Sequence, residues 1–178
     1  SKNLQLPILY PSIFTDDRGT YTQVFNNSWS EISSHVFIQD SVSISKKGVV
    51  RGYHGDYDTW KLIMCLQGSF KLSIVNMDTG SDTYMGMDVL VLDDVEKAMI
   101  LVPPKHINAH QCLSEQCMFY YKQTTLYRGE SNQYSVCPTE FVGCQREKPM
   151  ILSERDSIRC HNHADYIRGG KLIRPEEL

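Results

Sequence analysis

The sequence predicts an all-β fold, an antiparallel sandwich or barrel of the jelly-roll type with a few short helices. Three observations predict it. Short apolar or alternating runs recur along the chain, clusters of Gly, Pro, Asp and Ser separate them, and helix signals are few. The 178 residues also fit one domain, residues 1–178, because a domain typically has roughly 100–200 residues.

The predicted strands follow one another from residue 36 onward. Residues 36–44 alternate apolar and polar side chains, as a half-buried strand does, and the next strand ends at His54. Further strand-like runs lie at residues 60–66, 69–76, 87–92, 98–102, 109–113 and 117–124. Turn residues at 77–81 and 103–104, among others, divide these runs, and this succession favours antiparallel neighbours.

Two segments carry a different signal. Residues 27–32, with the sequence NSWSEI, have the clearest helix signal, so we expect a short helix there. Residues 160–178 are polar and lack a periodic apolar pattern. We expect them to form a surface tail or a cover over the barrel.

Composition and charge exclude several classes of protein. The net charge of -3 gives no electrostatic reason to expect nucleic acid or an anionic membrane as a partner. No apolar run approaches the ~18 residues of a membrane span, and the first residues do not resemble a secretion signal. None of the six cysteines forms a CxxC pair, so we expect free thiols and a cytoplasmic protein.

Four residues can carry proton chemistry. His54 precedes a turn and can act as a general base, although a surface histidine is the alternative. Lys61 opens an apolar strand, where it can stabilise an oxyanion or simply guard a sheet edge. Tyr121 can donate a proton or only pack, and Asp156 by itself is a charged surface residue. Residue types alone leave the chemistry open.

A metal site is not expected. His161 and His163 lie in the polar tail rather than in a barrel strand, and no glutamate follows at a ligand spacing. His106 and His110 are four residues apart, which places two ligands on one face only in a helix. The prolines before them favour a turn that enters a strand.

Several segments together resemble the nucleotide-sugar 4-keto 3,5-epimerase family. They occur in the family's order over about residues 8–156. They are FTDDRG at 14–19, FIQD at 37–40, GVVRGYH at 48–54, KL at 61–62, VPP at 102–104, YK at 121–122 with Tyr127, and ILSERD at 151–156. Each motif is weak alone, but their common order makes the resemblance strong.

The resemblance implies a cupin-type jelly roll that acts as a homodimer with N-terminal strand exchange, without metal or organic cofactor. It implies that His54 is the base and that Asp156 orients it. Lys61 would stabilise the enolate formed at the sugar C4 carbonyl, and Tyr121 would return a proton from the opposite face. The implied partner is a nucleotide-diphosphate 4-keto sugar.

The resemblance also implies a substrate-binding set. Arg51 would lie close to the sugar or the diphosphate, and Asn108 stands where the family has a histidine after the proline turn. His106 or His110 takes that place if the alignment shifts. The nucleotide diphosphate would be held by Arg18, Gln23, Gln39 and Tyr127.

The substrate prediction rests on departures from the family pattern. Gln23, Ser41, Asn76 and Asn108 replace family residues around the sugar and the base, which suits a different nucleotide or a larger sugar. The segment RGYHGD at 51–56 resembles bacterial enzymes that epimerise GDP-4-keto-heptoses in capsule synthesis, so we favour that substrate. The alternatives are a dTDP-4-keto-6-deoxyhexose 3,5-epimerase, a 3-only epimerase, a 3,4-ketoisomerase and a non-catalytic nucleotide-sugar-binding cupin.

Overall fold

The computed structural model describes residues 3–143 and 150–178, and within them the chain is built mainly from strands. The strands are β1 (Ile8–Leu9), β2 (Ile13–Asp16), β3 (Gly19–Thr22), β4 (Gln39–Lys46), β5 (Val50–Gly55), β6 (Lys61–Gln67), β7 (Ser69–Asn76), β8 (Met87–Asp93), β9 (Met99–Val102), β10 (His106–Cys112), β11 (Gln116–Gln123), β12 (Tyr134–Ser135), β13 (Ile167–Arg168) and β14 (Lys171–Leu172). One short helix, α1, spans Glu154–Ser157. Turns of 3-10 helix lie at Glu130–Asn132, Pro138–Glu140, His163–Tyr166 and Pro175–Glu177.

Two five-stranded antiparallel sheets form the barrel. The first sheet has the order β1-β9-β6-β11-β4, and the second has the order β12-β5-β10-β7-β8. The predicted all-β jelly roll with few helices is therefore confirmed. The β2–β3 hairpin and the β13–β14 hairpin lie outside both sheets. Among the described residues, no helix has the length and apolar composition required to cross a membrane.

The core lies between the sheets. Phe70, Leu72 and Ile74 of β7 are fully buried and pack with Ile63 and Cys65 of β6. These two strands belong to different sheets, and the chain passes from one to the other at a single residue, Gly68. Gly68 has a φ of +74°, and a Cβ there would lie 2.3 Å from the carbonyl oxygen of Gln116. Only glycine fits this tight crossing.

The predicted helix at residues 27–32 is wrong. The segment forms successive turns, in which the amide of Trp29 donates to the carbonyl of Asn26 and the amide of Ile32 donates to that of Trp29. The side chain of Asn26 accepts hydrogen bonds from the amide and hydroxyl of Ser28. Such local bonds compete with helix formation, and Ile32, which is fully buried, holds the turns against the first sheet.

The C-terminal segment covers one end of the barrel. Tyr166 and Leu172 are buried in a cluster with Tyr134 and Val136. The Tyr166 hydroxyl accepts a hydrogen bond from the amide of Ser135 at 3.0 Å, which ties the cover to β12. Of the two expectations for residues 160–178, the structure has the cover, because a few apolar side chains suffice to bury it despite its polar composition.

The expectation of free thiols is wrong for two cysteines. Cys137 and Cys160 form a disulfide, with their Cα atoms 4.9 Å apart. Backbone hydrogen bonds between Cys137 and His161 and between His161 and Ser135 bring the two segments side by side. Cys65, Cys112 and Cys117 are free and buried, and Cys144 lies outside the described residues. A pairing across 23 residues follows from this tertiary contact, which the spacing did not reveal.

Candidate active site

A cavity of about 160 Å³ opens between the two sheets. The second sheet contributes side chains from β5 and β10, and the first contributes side chains from β4, β6 and β11. The lining residues are Ser43, Arg51, His54, Lys61, Asn108, His110, Phe119, Tyr121 and Gln133. Five residues predicted from the sequence therefore line one cavity: Arg51, His54, Lys61, Asn108 and Tyr121.

His54 is held by Asp156 from behind the cavity. The Nε2 atom of His54 lies 2.7 Å from Oδ1 of Asp156, whose side chain is 3% exposed. Asp156 reaches this place because Ser153 is the N-cap of α1. The side-chain oxygen of Ser153 accepts a hydrogen bond from the Asp156 amide. The amide of Gly52 also donates to Oδ2 of Asp156, at 3.4 Å. An N-cap serine thus fixes the carboxylate that orients the imidazole.

The environment sets the charges of this pair. Burial lowers the pKa of His54 below its ordinary 6.5, and this outweighs the opposing effect of Asp156. Burial also raises the pKa of Asp156, but hydrogen bonds from His54 and Gly52 outweigh burial and leave the pKa below its usual value. The carboxylate is therefore ionised and the imidazole neutral at neutral pH. Nε2 then donates its hydrogen to Asp156, which leaves the Nδ1 lone pair as the basic atom.

Lys61 stands on the opposite sheet with a carboxylate partner. Its Nζ lies 2.6 Å from Oδ2 of Asp56, and both side chains are largely buried. The same Nζ is 5.9 Å from the centre of the Tyr121 ring. The side chain of Gln133 donates to Asp56 at 3.2 Å. The sequence pattern included Asp56 only as the last residue of the segment RGYHGD, and it did not point to Gln133.

Two further cavity residues have unpartnered polar atoms. Nε2 of His110 and Oγ of Ser43 are buried, and neither has a hydrogen-bond partner among the described residues. His110 stacks on Phe119, with ring centres 4.1 Å apart. Burial, followed by the charges of Arg51 and His54, lowers the pKa of His110 to about 3, so its ring is neutral. His110 lies two residues beyond Asn108 on β10, and that strand periodicity was the available signal for its place in the wall.

The predicted substrate-binding residues divide into two groups. Asn108 is paired in register with His54, and Nε of Arg51 donates to Ser45 at 3.0 Å, so both belong to the cavity wall. Gln39 lies beyond the cavity lining, where its side-chain oxygen accepts a hydrogen bond from the amide of Tyr127 at 2.7 Å. These two lie together, as a shared ligand contact requires.

Arg18 and Gln23 are not brought to the cavity within one chain. Arg18 lies in the β2–β3 turn and pairs with Asp16 at 2.6 Å. Gln23 follows β3, accepts a hydrogen bond from Asn26, and lines a separate groove with Tyr10 and other residues. Neither residue is among those that line the cavity.

The remaining histidines have other partners. Nδ1 of His106 lies 2.9 Å from the carbonyl oxygen of Pro104, and Nδ1 of His163 pairs with Glu140. His161 contacts the ring of Tyr166 edge-on. His35 stacks on the ring of Trp60, and none of these four histidines lines the cavity.

Comparison with known proteins gives a consistent result. Residues 5–162 match the model of a family described as dTDP-4-dehydrorhamnose 3,5-epimerase. Proteins of that name from Methanothermobacter thermautotrophicus and Escherichia coli are each 32% identical, over 157 and 161 residues, covering 84% of this chain and 85% of each relative. The crystal structure of dTDP-6-deoxy-D-glucose-3,5-epimerase from Legionella pneumophila, in complex with dTDP-4-keto-L-rhamnose, is 26% identical with a TM-score of 0.85 and covers 97% of this chain and 96% of that one. The matched range includes every residue that lines the cavity.

Proposed function

The chain belongs to the dTDP-4-dehydrorhamnose 3,5-epimerase family and is an isomerase, and from that premise we propose that it inverts C3 and C5 of a dTDP-4-keto-6-deoxyhexose through an enolate. One observation carries the proposal. The His54–Asp156 pair, joined at 2.7 Å, stands on one wall of a cavity that Lys61 and Tyr121 line from the other sheet.

His54 is the proposed base. A carbon next to a ketone loses its proton only when the resulting charge can move to the carbonyl oxygen, so the reaction needs a base and an oxyanion stabiliser together. The neutral imidazole takes the proton, and the carbon–hydrogen electron pair becomes the double bond of the enolate. Asp156 keeps Nε2 protonated and stabilises the imidazolium that forms.

Lys61 and Tyr121 complete the proposed cycle. The Lys61 ammonium stabilises the enolate oxygen, and the Tyr121 hydroxyl donates its proton to the carbon from the opposite sheet. The sugar carbon thus loses a proton on one face and gains one on the other, which inverts its configuration. His54 then releases its proton to solvent, and Tyr121 recovers one.

The sugar enters the cavity, and the nucleotide remains outside it. The volume of about 160 Å³ is below the ~300–1,000 Å³ of pockets that enclose a whole drug-sized ligand. Ser43, His110 and Asn108 offer hydrogen bonds to the hydroxyls of the sugar, and Arg51 carries a positive charge for the sugar or the diphosphate. Beyond the cavity, Gln39 and Tyr127 are placed to contact the nucleotide diphosphate.

A homodimer completes the nucleotide site in this proposal. Phe14 and Tyr21 of the β2–β3 hairpin are 63% and 66% exposed, and Val42 and Ile44 are exposed on β4, an edge strand. Edge strands and apolar hairpins that remain uncovered favour association with another chain. Exchange of the hairpin between two chains would cover these side chains and bring Arg18 and Gln23 to the partner's cavity.

The GDP-4-keto-heptose predicted from the sequence is the second candidate substrate. The relatives described above are all named for dTDP-linked sugars, and they favour the dTDP-hexose alternative instead. The segment RGYHGD at 51–56 and the free hydrogen-bonding capacity of Ser43 and His110 support a sugar with more hydroxyls.

Proton exchange tests the proposal directly. We would incubate the protein with dTDP-4-keto-6-deoxyglucose or a GDP-4-keto-heptose in deuterated water and follow C3 and C5 by NMR. We expect deuterium at both carbons of the dTDP sugar. Exchange at C3 alone would indicate a 3-epimerase, faster exchange with the heptose would reverse the substrate order, and nucleotide-sugar binding without any exchange would contradict the enzyme mechanism.

A further inference from the structure

A chain of polar contacts runs from Lys61 away from the cavity. Oδ2 of Asp56 lies 2.6 Å from Nζ of Lys61, and Oδ1 of Asp56 accepts a hydrogen bond from Gln133 at 3.2 Å. The side-chain oxygen of Gln133 lies 3.5 Å from two nitrogens of Arg155. Nε of Arg155 also donates to Ser135 at 3.2 Å. The contacts thus link β6 to α1.

The ion pair between Lys61 and Asp56 is largely shielded from water. The side chains of Lys61 and Asp56 are 10% and 16% exposed, so water competes little with the ion pair. Asp56 follows Gly55, where a Cβ would lie 2.2 Å from the carbonyl oxygen of His106. Glycine therefore lets the end of β5 approach β10 closely, and the chain delivers Asp56 beside Lys61 directly after it.

Two consecutive residues of α1 contact the second sheet and the segment that leads into it, beside the cavity. Asp156 contacts His54 directly, and Arg155 contacts Ser135 and Gln133. Ser135 is itself paired in register with His54. One helical turn is therefore connected both to the proposed base and, through Gln133 and Asp56, to the proposed oxyanion stabiliser.

We propose that Asp56 is a positioning residue for Lys61 and that Arg155, acting through Gln133, holds Asp56 in place, so that α1 sets the relative position of base and ammonium. The proposal rests on the proposed function for the role of Lys61. A lysine has a long flexible stem and a single point charge, so its ammonium occupies one position only when a partner fixes it. Asp56 does not line the sugar cavity, and its effect on the reaction must pass through Lys61.

Asp56→Asn is the first test. A misplacement of ~1 Å costs up to ~100-fold in rate, so we expect kcat to fall by roughly 10- to 100-fold while KM for the nucleotide sugar stays within twofold or so. The matched control is Asp58→Asn. Asp58 lies two residues further on and pairs with Arg174 in an exposed position, so its kcat should not change. Equal losses in both variants, or a rise in KM with unchanged kcat, would overturn the proposal.

A double-mutant cycle tests whether Asp56 acts through Lys61. Lys61→Met removes the ammonium, so Asp56→Asn should cause no further loss in that background. Full additivity of the two losses would overturn the proposal.

Arg155→Met should lower kcat several-fold, and Arg155→Lys should restore part of it by retaining a donor. Arg155→Met also keeps the test available if Asp56→Asn does not fold, and an unchanged kcat there would remove Arg155 from the proposal.

A spectroscopic readout does not depend on the reaction. In protein with isotopically labelled lysine, the Nζ resonance of Lys61 should shift in Asp56→Asn and in Arg155→Met but not in Asp58→Asn. Absence of a shift in Asp56→Asn would contradict the positioning role. If the wild-type protein exchanged no sugar proton while these shifts appeared, the proposed function would fail and the contact network would stand.

Discussion

The barrel cavity and the β2–β3 hairpin differ in how completely one chain supports their polar residues. In the cavity, His54 is bonded to Asp156, Lys61 to Asp56 and Arg51 to Ser45. On the hairpin, the partner of Arg18 among the described residues is Asp16, two residues away in an exposed turn. A group that has to hold one geometry for proton transfer needs a partner that is shielded from water, whereas a residue that awaits a ligand or a second chain does not. In our proposal, the groups for proton transfer therefore come from one chain, whereas Arg18 and Gln23 contact the nucleotide only after two chains associate.

Removal of the proposed base, His54, gives the largest expected effect and tests the role of the cavity. General acid–base catalysis contributes a factor of about 10² to 10⁴ to the reaction rate. His54→Asn should therefore slow deuterium exchange at C3 and C5 by at least about 100-fold. Binding of dTDP, measured by calorimetry, should change little, because His54 lies in the sugar cavity. Retained turnover in this variant would show that another residue is the base.

Removing the proposed proton donor should separate exchange from inversion. Tyr121→Phe keeps the aromatic ring and removes the hydroxyl, so we expect epimerisation to fall roughly 100-fold. Deuterium exchange should fall less, because His54 can remove a proton and return a solvent deuteron on the same face. We would follow both by NMR in one sample. An equal loss of exchange and inversion would argue against Tyr121 as the donor.

A change on the hairpin should affect binding rather than chemistry. Arg18→Ala removes a charged contact to the diphosphate, which is worth roughly tenfold in KM, and should leave kcat nearly unchanged.

Mixing Arg18→Ala with His54→Asn subunits at equal amounts should restore about a quarter of the wild-type sites if each hairpin serves its partner's cavity in a closed dimer. If mixing restored no wild-type sites, this result would contradict the proposed exchange of hairpins.

The smallest expected effect is the pH dependence of kcat/KM, which should depend on the cavity and not on the hairpin. His54 acts only when it is neutral, and burial lowers its pKa, so kcat/KM should fall with acid at a pH below 6.5. The sign follows because protonation of the free base removes its lone pair. Arg18→Ala should leave this acid limb in place, since the hairpin lies outside the cavity. An acid limb above 6.5, measured by initial rates, would contradict the lowered pKa.

Local patterns predicted the strands of the barrel well. Residues 69–76 coincide with β7, the run at 60–66 differs from β6 by one residue at each end, and the run at 87–92 ends one residue before β8 does. Residues 27–32 were less predictable, because a run of six carries too little pattern to separate a helix from successive turns. The side-chain bonds of Asn26 and the burial of Ile32 decided that segment.

The candidate site was predictable only in part. The segments GVVRGYH and ILSERD contain His54 and Asp156, and the resemblance implied that the two residues pair. Gln133 was missed because it is an ordinary polar residue in its own segment, and His110 was named only as an alternative to Asn108 after the proline turn. Asp56 was visible as the last residue of the segment RGYHGD, yet its pairing with Lys61 could not be read from a spacing of five residues.

By itself, the sequence determined the strand order along the chain, the turns and the residues of the resembling motifs, because these depend on neighbours within a few positions. Only the tertiary structure decided which strands meet across the cavity, how residues 160–178 cover the barrel, and that Cys137 pairs with Cys160. It also decided that one turn of α1 contacts both His54, through Asp156, and Gln133, through Arg155. Each of these contacts joins segments distant in sequence, and their proximity arises from burying both sheets in one core.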